Sequence, residues 1–400
     1  MTQDPFAIKG FRFSAVAAGI KTPGTERLDF GLIVADAPAV AAGVTTRNLL
    51  TAAPVQITRE HLKDGHCQAV LLNSGNANAA TGDQGRSDAI TLINDTADRL
   101  RMNPRLIVPM STGVIGVPLP VDRMLDGIPE LVAGLDSGDL GDVADAIMTT
   151  DTRPKTAQLT EDLAGTPVRM AGLTKGAGMI APNMATMLAV ILMDCRVDRS
   201  LLQECLGEAV NSSFNCISVD GDNSTNDTVL VMAGGHPESP VLGPDETVRK
   251  DLLPMLTRIC SDLARQIVAD GEGATKLVEV HVRGAQDRKA ATKVAKTIAE
   301  SLLVKTALNG EDPNWGRIIA AAGRSGIDFD PDKVDLLIGP VPIMKDGAIV
   351  AGDWETPAHE VMKQREFPII LNLKDGTGEA VYLTTDLSAQ YVRINADYRS

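Results

Sequence analysis

Short runs of consecutive apolar residues alternate along the chain with longer stretches whose apolar positions recur every three or four residues. That alternation predicts a mixed α/β fold of α+β layers. Strands are predicted over residues 67–73, 106–110, 168–173, 187–193, 228–232, 277–282 and 368–373. Residues 87–100 place Ile90, Ile93, Ala97 and Leu100 at helical spacing, and helices are likewise predicted over 198–210, 246–269 and 291–303. No internal repeat or low-complexity linker breaks the pattern. The connecting segments 73–82, 111–116, 175–186, 220–227 and 309–317 are dense in Gly, Asn, Ser, Thr and Asp, residues that supply hydroxyls, amides and backbone donors in tight turns. Five such loops in one chain suit a site that orients a polar substrate.

Composition narrows the partners. With 52 acidic and 38 basic residues the formal charge is −14, which disfavours a nucleic-acid backbone or an anionic membrane surface while leaving a small cationic amino acid open. Aromatic residues are 3% of the chain, too few for base-stacking platforms. The apolar run 187–193 is far too short to span a bilayer, and the first residues, with Asp4, Lys9 and Arg12, lack the continuous apolar stretch of a signal peptide. Cys67, Cys195, Cys205, Cys216 and Cys260 are odd in number and form no CxxC pair, which fits a reducing cytoplasm. The five histidines form no HxxxH pair, so no metal site is expected.

The segment Lys175-Gly-Ala-Gly-Met-Ile-Ala-Pro-Asn-Met-Ala-Thr186-Met-Leu sets a threonine between a glycine-bearing loop and an apolar β-type run. A threonine hydroxyl is a poor nucleophile without a base beside it, and one solution makes it the first residue of a chain, so that its own α-amine takes the proton. The amine's unperturbed pKa of about 7.7–8.0 suits neutral pH. Here the scheme needs a cut between Ala185 and Thr186, reached by attack of the hydroxyl on the Ala185 carbonyl. Two other patterns compete for attention. Gly176-Ala-Gly178-Met-Ile-Ala181, with Asp194 downstream, matches a dinucleotide fingerprint, but Pro182 and Asn183 interrupt the helix it needs. Asp220-Gly-Asp222-Asn-Ser224 opens like a calcium loop, but Thr225 and Val231 stand where Gly and Glu belong.

Residues 175–188 resemble the autocleavage signature of the ornithine acetyltransferase (glutamate N-acetyltransferase) family, and the resemblance runs through nearly the whole chain. It includes Asn73-Ser-Gly-Asn-Ala-Asn-Ala, Ser111-Thr-Gly-Val-Ile-Gly, Met148-Thr-Thr-Asp-Thr-Arg-Pro-Lys, Asp270-Gly-Glu-Gly-Ala-Thr-Lys, Val304-Lys-Thr-Ala, Asn314-Trp-Gly-Arg and Tyr391-Val-Arg-Ile-Asn-Ala-Asp-Tyr. The stretches Val44-Thr-Thr-Arg-Asn and Leu308-Asn-Gly-Glu-Asp-Pro depart from the family pattern, which bears on acceptor range.

The resemblance implies an N-terminal-nucleophile-like layered arrangement, cut into an α chain of residues 1–185 and a β chain of residues 186–400 that assemble as an α2β2 heterotetramer. It implies Thr186 as the acetyl-accepting nucleophile and Thr112 with Gly113 as the oxyanion hole. Thr152, Lys175, Thr186, Glu272, Asn395 and Ser400 would contact the substrate, with Glu272 suited to an ammonium and Lys175 to a carboxylate. The implied reaction is ping-pong transfer of acetyl from N2-acetyl-L-ornithine to L-glutamate, with no cofactor. Alternatives are acetyl-CoA as a co-substrate for glutamate acetylation, a related self-processed amidase or aminopeptidase that hydrolyses, and an uncleaved amino-acid-binding protein.

Overall fold

The computed structural model describes residues 7–181 and 187–397. It is a mixed α/β protein built, among the described residues, on two large sheets and a small parallel pair, Arg196–Val197 with Val241–Leu242. The larger has eight strands, in the order Ile107–Ser111, His66–Asn73, Phe30–Thr45, Thr228–Ala233, Leu188–Met193, Thr166–Lys175 and Lys155–Leu163, with Phe11–Val16 also paired to Phe30–Thr45. The second runs Ala348–Ile349, Val341–Lys345, Asp335–Ile338, Glu366–Asn372, Leu277–Ala285, Gly378–Thr385 and Ile217–Ser218.

Burial on both faces explains the unbroken apolar run in Leu188–Met193. Ala189, Ile191 and Met193 pack with the inward faces of helices Arg199–Ser212 and Glu246–Ala269. Leu188, Val190 and Leu192 point the other way, into a cluster with Leu140, Val143 and Ala144 of helix Leu140–Ala146. The strand pairs in parallel with Thr228–Ala233 and antiparallel with Thr166–Lys175, where Lys175 stands opposite Leu188. Helices Gly82–Leu100 and Val121–Ala133 cover the far end of the same sheet through Leu92, Ile93, Met124 and Ile128.

The seven predicted strands are all present within a few residues, and Glu246–Ala269 spans the predicted helix from end to end. Two predicted segments are corrected. The helix expected over 291–303 is two: Arg288–Ala299 ends on an N–H of Glu300 bonded to Lys296 O at 2.9 Å, and Leu302–Asn309 starts anew after Ser301. A continuous helix would carry on the stripe of Val294 and Ile298, but Leu302 and Leu303 are 63% and 62% exposed, and the turn instead sends Val304, Lys305 and Leu308 inward. The loop expected over 309–317 already contains the next helix, Trp315–Gly323, capped by the Asn314 side chain, which accepts from Arg317 N at 3.2 Å. Among the described residues no helix is long and apolar enough to cross a membrane, and all five cysteines are buried and free.

Candidate active site

Strands His66–Asn73 and Ile107–Ser111 run in parallel with Asn73 opposite Ser111, so their C-terminal ends release two polar loops side by side. Ser111 Oγ donates to Asn73 Oδ1 at 2.7 Å, and Thr112 N donates to Asn73 O at 2.9 Å. The turn through Gly113 then lies directly on Gly75 and Asn76. Gly113 has φ +134, and a Cβ there would stand 2.3 Å from Gly75 C and 2.4 Å from Asn76 N, so the position admits only glycine. Asn226 ties the two loops together, its Nδ2 donating to Ala77 O at 2.6 Å and to Ser111 O at 2.8 Å.

A buried ionic cluster sits beside this turn. Lys155 Nζ bridges Asp151 Oδ1 and Asp270 Oδ2, each at 2.6 Å, with its side chain fully buried. Asp151 also accepts from Gly176 N at 2.7 Å and Thr149 N at 3.0 Å, which fixes the start of the glycine loop. Burial opposes the charge on Asp151, but the ammonium groups of Lys175 and Lys155 override it and hold the carboxyl at about 2. Lys175, at the end of its strand and 4% exposed, reaches across to donate to Thr112 Oγ1 at 3.2 Å. Its own pKa is lowered, first by burial and then by Lys155, against the pull of Asp151, Asp227 and Glu272. Buried cations of this kind persist only where carboxylates face them.

Glu272 closes the other side. Its N–H donates to Ala177 O at 2.9 Å, and its Oε2 accepts from Asn395 Nδ2 at 2.7 Å, on helix Ala389–Asp397. Gly178 makes room, since a Cβ there would lie 2.4 Å from the Glu272 carboxylate. Asp220 pins the following residues, accepting from Met179 N at 2.5 Å and Ile180 N at 2.8 Å, and takes the Tyr391 hydroxyl at 3.2 Å. The supposed calcium loop therefore spends its first carboxylate on protein N–H groups. Among the described residues the dinucleotide-like turn opens no helix: 176–181 are irregular, and strand Leu188–Met193 follows the undescribed residues.

Thr112, Gly113, Lys175, Glu272 and Asn395, far apart in sequence, line one cavity together with Asn226. Thr152 stands beside it: its hydroxyl donates to Asp270 Oδ1 and its N–H to Asp270 Oδ2 at 3.0 Å, so it braces the ionic cluster. Ala185, Thr186 and Ser400 lie outside the described residues. The chain reappears at Met187, whose N–H donates to Asp227 Oδ1 at 3.0 Å. Asp151, Asn226 and Asp227 went unnoticed in the sequence, although each lies in a segment that stood out there for its polarity or motif. A cavity with hydroxyl and backbone groups between a buried ammonium and a buried carboxylate can hold a small zwitterion and stabilise charge on an acyl oxygen.

A model of the ArgJ family matches residues 12–400. The arginine biosynthesis bifunctional protein ArgJ of Geobacter sulfurreducens is 48% identical over 393 residues, covering 98% of this chain and 100% of that protein. Its namesake from Desulfotalea psychrophila is 48% identical over 394 residues, with coverage of 98% and 100%. The crystal structure of the bifunctional protein from Bacillus halodurans is 43% identical, covers 51% of this chain and 96% of that one, and has a TM-score of 0.49.

Proposed function

The chain belongs to the ArgJ family, and from that membership we propose that it moves an acetyl group from N2-acetyl-L-ornithine to L-glutamate, releasing L-ornithine and N-acetyl-L-glutamate. It is an acyltransferase of arginine biosynthesis acting on small amino-acid substrates. In this reading the precursor cuts itself between Ala185 and Thr186, and the freed α-amine of Thr186 activates the neighbouring hydroxyl. Acetylornithine acylates Thr186, ornithine leaves, and glutamate takes the acetyl group from the ester.

The observation that carries the proposal is the meeting of Thr112, Gly113, Lys175 and Glu272 on one cavity. Thr112 Oγ1 and Gly113 N–H would stabilise the tetrahedral oxyanion, removal of one such donor typically lowering the rate by about 10²–10³. Glu272 would take the substrate ammonium and Lys175 its carboxylate. Asn395 would act through Glu272, which it hydrogen-bonds, and Thr152 through Asp270. Ser400 would complete the substrate contacts from the end of the chain. The N-terminal-nucleophile-like arrangement, an α2β2 assembly of residues 1–185 and 186–400, and a cytoplasmic location complete the reading, the last supported by five buried free thiols.

Incubation with N-acetylornithine and glutamate tests the reaction. Formation of N-acetylglutamate and ornithine is expected; acetate in their place would mark an amidase, and binding without product an uncleaved binder. A denaturing gel should show two chains, the second beginning at Thr186, and Thr186→Ala should give one inactive chain. A second donor for the same acceptor, acetyl-CoA, is the alternative within this reading, and the relatives are themselves named bifunctional. That arm is tested by supplying acetyl-CoA and glutamate alone.

A further inference from the structure

A second cavity, of about 360 Å³, lies behind the glycine turn, its walls including Lys21, Arg27, Asp29, Ser74, Gly75 and Thr149. Two features join it to the cavity of Thr112 and Gly113. Thr149 lines both. Gly75 stands between them: a Cβ on Gly113 would meet Gly75 C at 2.3 Å, and a Cβ on Gly75 would meet Lys21 Cβ at 2.9 Å and Lys21 N at 3.0 Å. The turn at Gly113, the chain at Gly75 and the chain at Lys21 are thus stacked in that order.

The charges that this second cavity offers are positive. Asp29, the acid among its described lining residues, is buried and fully committed: Oδ1 accepts from Ala18 N at 2.7 Å and Oδ2 from Ile20 N at 2.6 Å, which folds the loop that presents Lys21. Arg27 Nη2 donates to Met148 O at 2.6 Å and to Thr149 O at 3.4 Å, leaving Nε and Nη1 uncommitted among the described residues. Lys21 is close enough to feel that guanidinium, since burial and then Arg27 lower its pKa. Two like charges held at one cavity repel each other until an anion enters, and the walls of a cleft strengthen their pull on it. On a chain of net charge −14 such a pair runs against the overall field.

The stacking sets the length of the ligand. Ornithine and glutamate carry their charges within a few bonds of the nitrogen that gives or takes acetyl, and Lys175 and Glu272 already stand in the first cavity to meet them. An anion at Lys21 lies beyond Gly75 from there, so a ligand held in both cavities needs a long uncharged arm, with its acyl group at one end and its anionic groups at the other. We propose that Lys21 and Arg27 bind the phosphate groups of an acyl-coenzyme A donor, whose thioester arm passes Thr149 toward the turn at Gly113. The inference rests on the acetyl-CoA alternative of the proposed function and gives that donor's handle a place outside the amino-acid cavity.

Kinetics of the purified enzyme with glutamate and either acetyl-CoA or acetylornithine test this. Lys21→Glu should raise KM for acetyl-CoA about tenfold or more relative to KM for acetylornithine, the equivalent of one charge-assisted hydrogen bond. Lys21→Arg should keep most of the wild-type value. S-acetylpantetheine, which has the arm without the phosphates, should be a poor donor that wild type and Lys21→Glu use alike. Added salt should weaken acetyl-CoA use in wild type and do less in Lys21→Glu. Calorimetric titration with coenzyme A reads the same site without turnover and should show the same loss of affinity. Lys21 is exposed, so its variants should fold; should Lys21→Glu melt early, the acetylpantetheine and salt comparisons on wild type decide. Equal KM shifts for both donors, a shift in KM for glutamate in place of acetyl-CoA, or unchanged coenzyme A affinity in Lys21→Glu overturns the proposal. So does a wild-type enzyme that transfers acetyl from acetylornithine but never from acetyl-CoA. Wild type that binds coenzyme A through Lys21 yet forms no N-acetylglutamate from either donor would instead overturn the proposed function, a distinguishable result.

Discussion

Lys175 Nζ donates to Thr112 Oγ1 across 3.2 Å, joining the end of one central strand to the turn that follows another. The contact occupies a lone pair of the hydroxyl and leaves its O–H to donate, so under the proposed function the ammonium would orient the donor as well as meet substrate. Lys175→Met should therefore lower kcat by about 10²–10³, more than loss of a substrate carboxylate contact alone. Steady-state kinetics at saturating acetylornithine checks this. A change confined to KM would mean that Lys175 binds and does not orient.

Gly113 offers a sharper test of the turn. Alanine would have to keep φ +134 while its Cβ overlaps the Gly75 and Asn76 backbone, so the 75–76 and 112–114 loops must separate. Gly113→Ala should lose acetyl transfer by at least about 10² and lower the melting temperature by several degrees. Gly116, also at positive φ but with open space around it, serves as the control. Gly116→Ala should keep the wild-type kcat.

Asn395 is exposed, on a helix that reaches the cavity through its bond to Glu272. Asn395→Ala removes that bond with little packing loss, so the fold should be untouched. The mobile carboxylate should raise KM for acetylornithine by about tenfold, the equivalent of one charge-assisted hydrogen bond. Equal KM values for variant and wild type would place Glu272 outside substrate recognition.

Asp151 makes acid stability measurable. Its folded-state pKa of about 2 lies below the ordinary value near 4, so its stabilisation is complete above about pH 4 and is lost as pH falls through 2. The gap corresponds to roughly 2 kcal/mol for this buried group. Urea unfolding between pH 5 and 2 should show the decline in wild type. Asp151→Asn should start less stable, having left two buried ammonium groups short of a partner, and should lose less over the same window.

Much of the fold was legible because the central strands are buried on both sides. Residues 188–193 and 228–233 are apolar at nearly every position for that reason, and no loop looks like them. Phe30–Thr45 was not legible: half of its second half is alanine and glycine, and its pairing with His66–Asn73 slips between Val34 and Ala39, so no steady period survives. Lys155–Leu163 escaped too, as an edge strand with Gln158 and Thr160 exposed. In the site, glycines and hydroxyls stood out through their motifs. Asp151, Asn226 and Asp227 did not, because a single acid or amide in a polar loop resembles a solvated one. What separates them is burial, set by strand register across more than a hundred residues.

The order of the large sheet has one more consequence. Thr228–Ala233 and Leu188–Met193 lie between Phe30–Thr45 on one side and Thr166–Lys175 on the other, so the part of the chain after the proposed cut is wedged into the part before it. Scission would be silent to any measurement of size or shape made on the native molecule: sedimentation, size-exclusion elution and scattering would read the nicked and intact forms alike. Among such measurements only those made after denaturation would reveal that a covalent connection had gone, and refolding from two separated pieces would have to rebuild both seams at once.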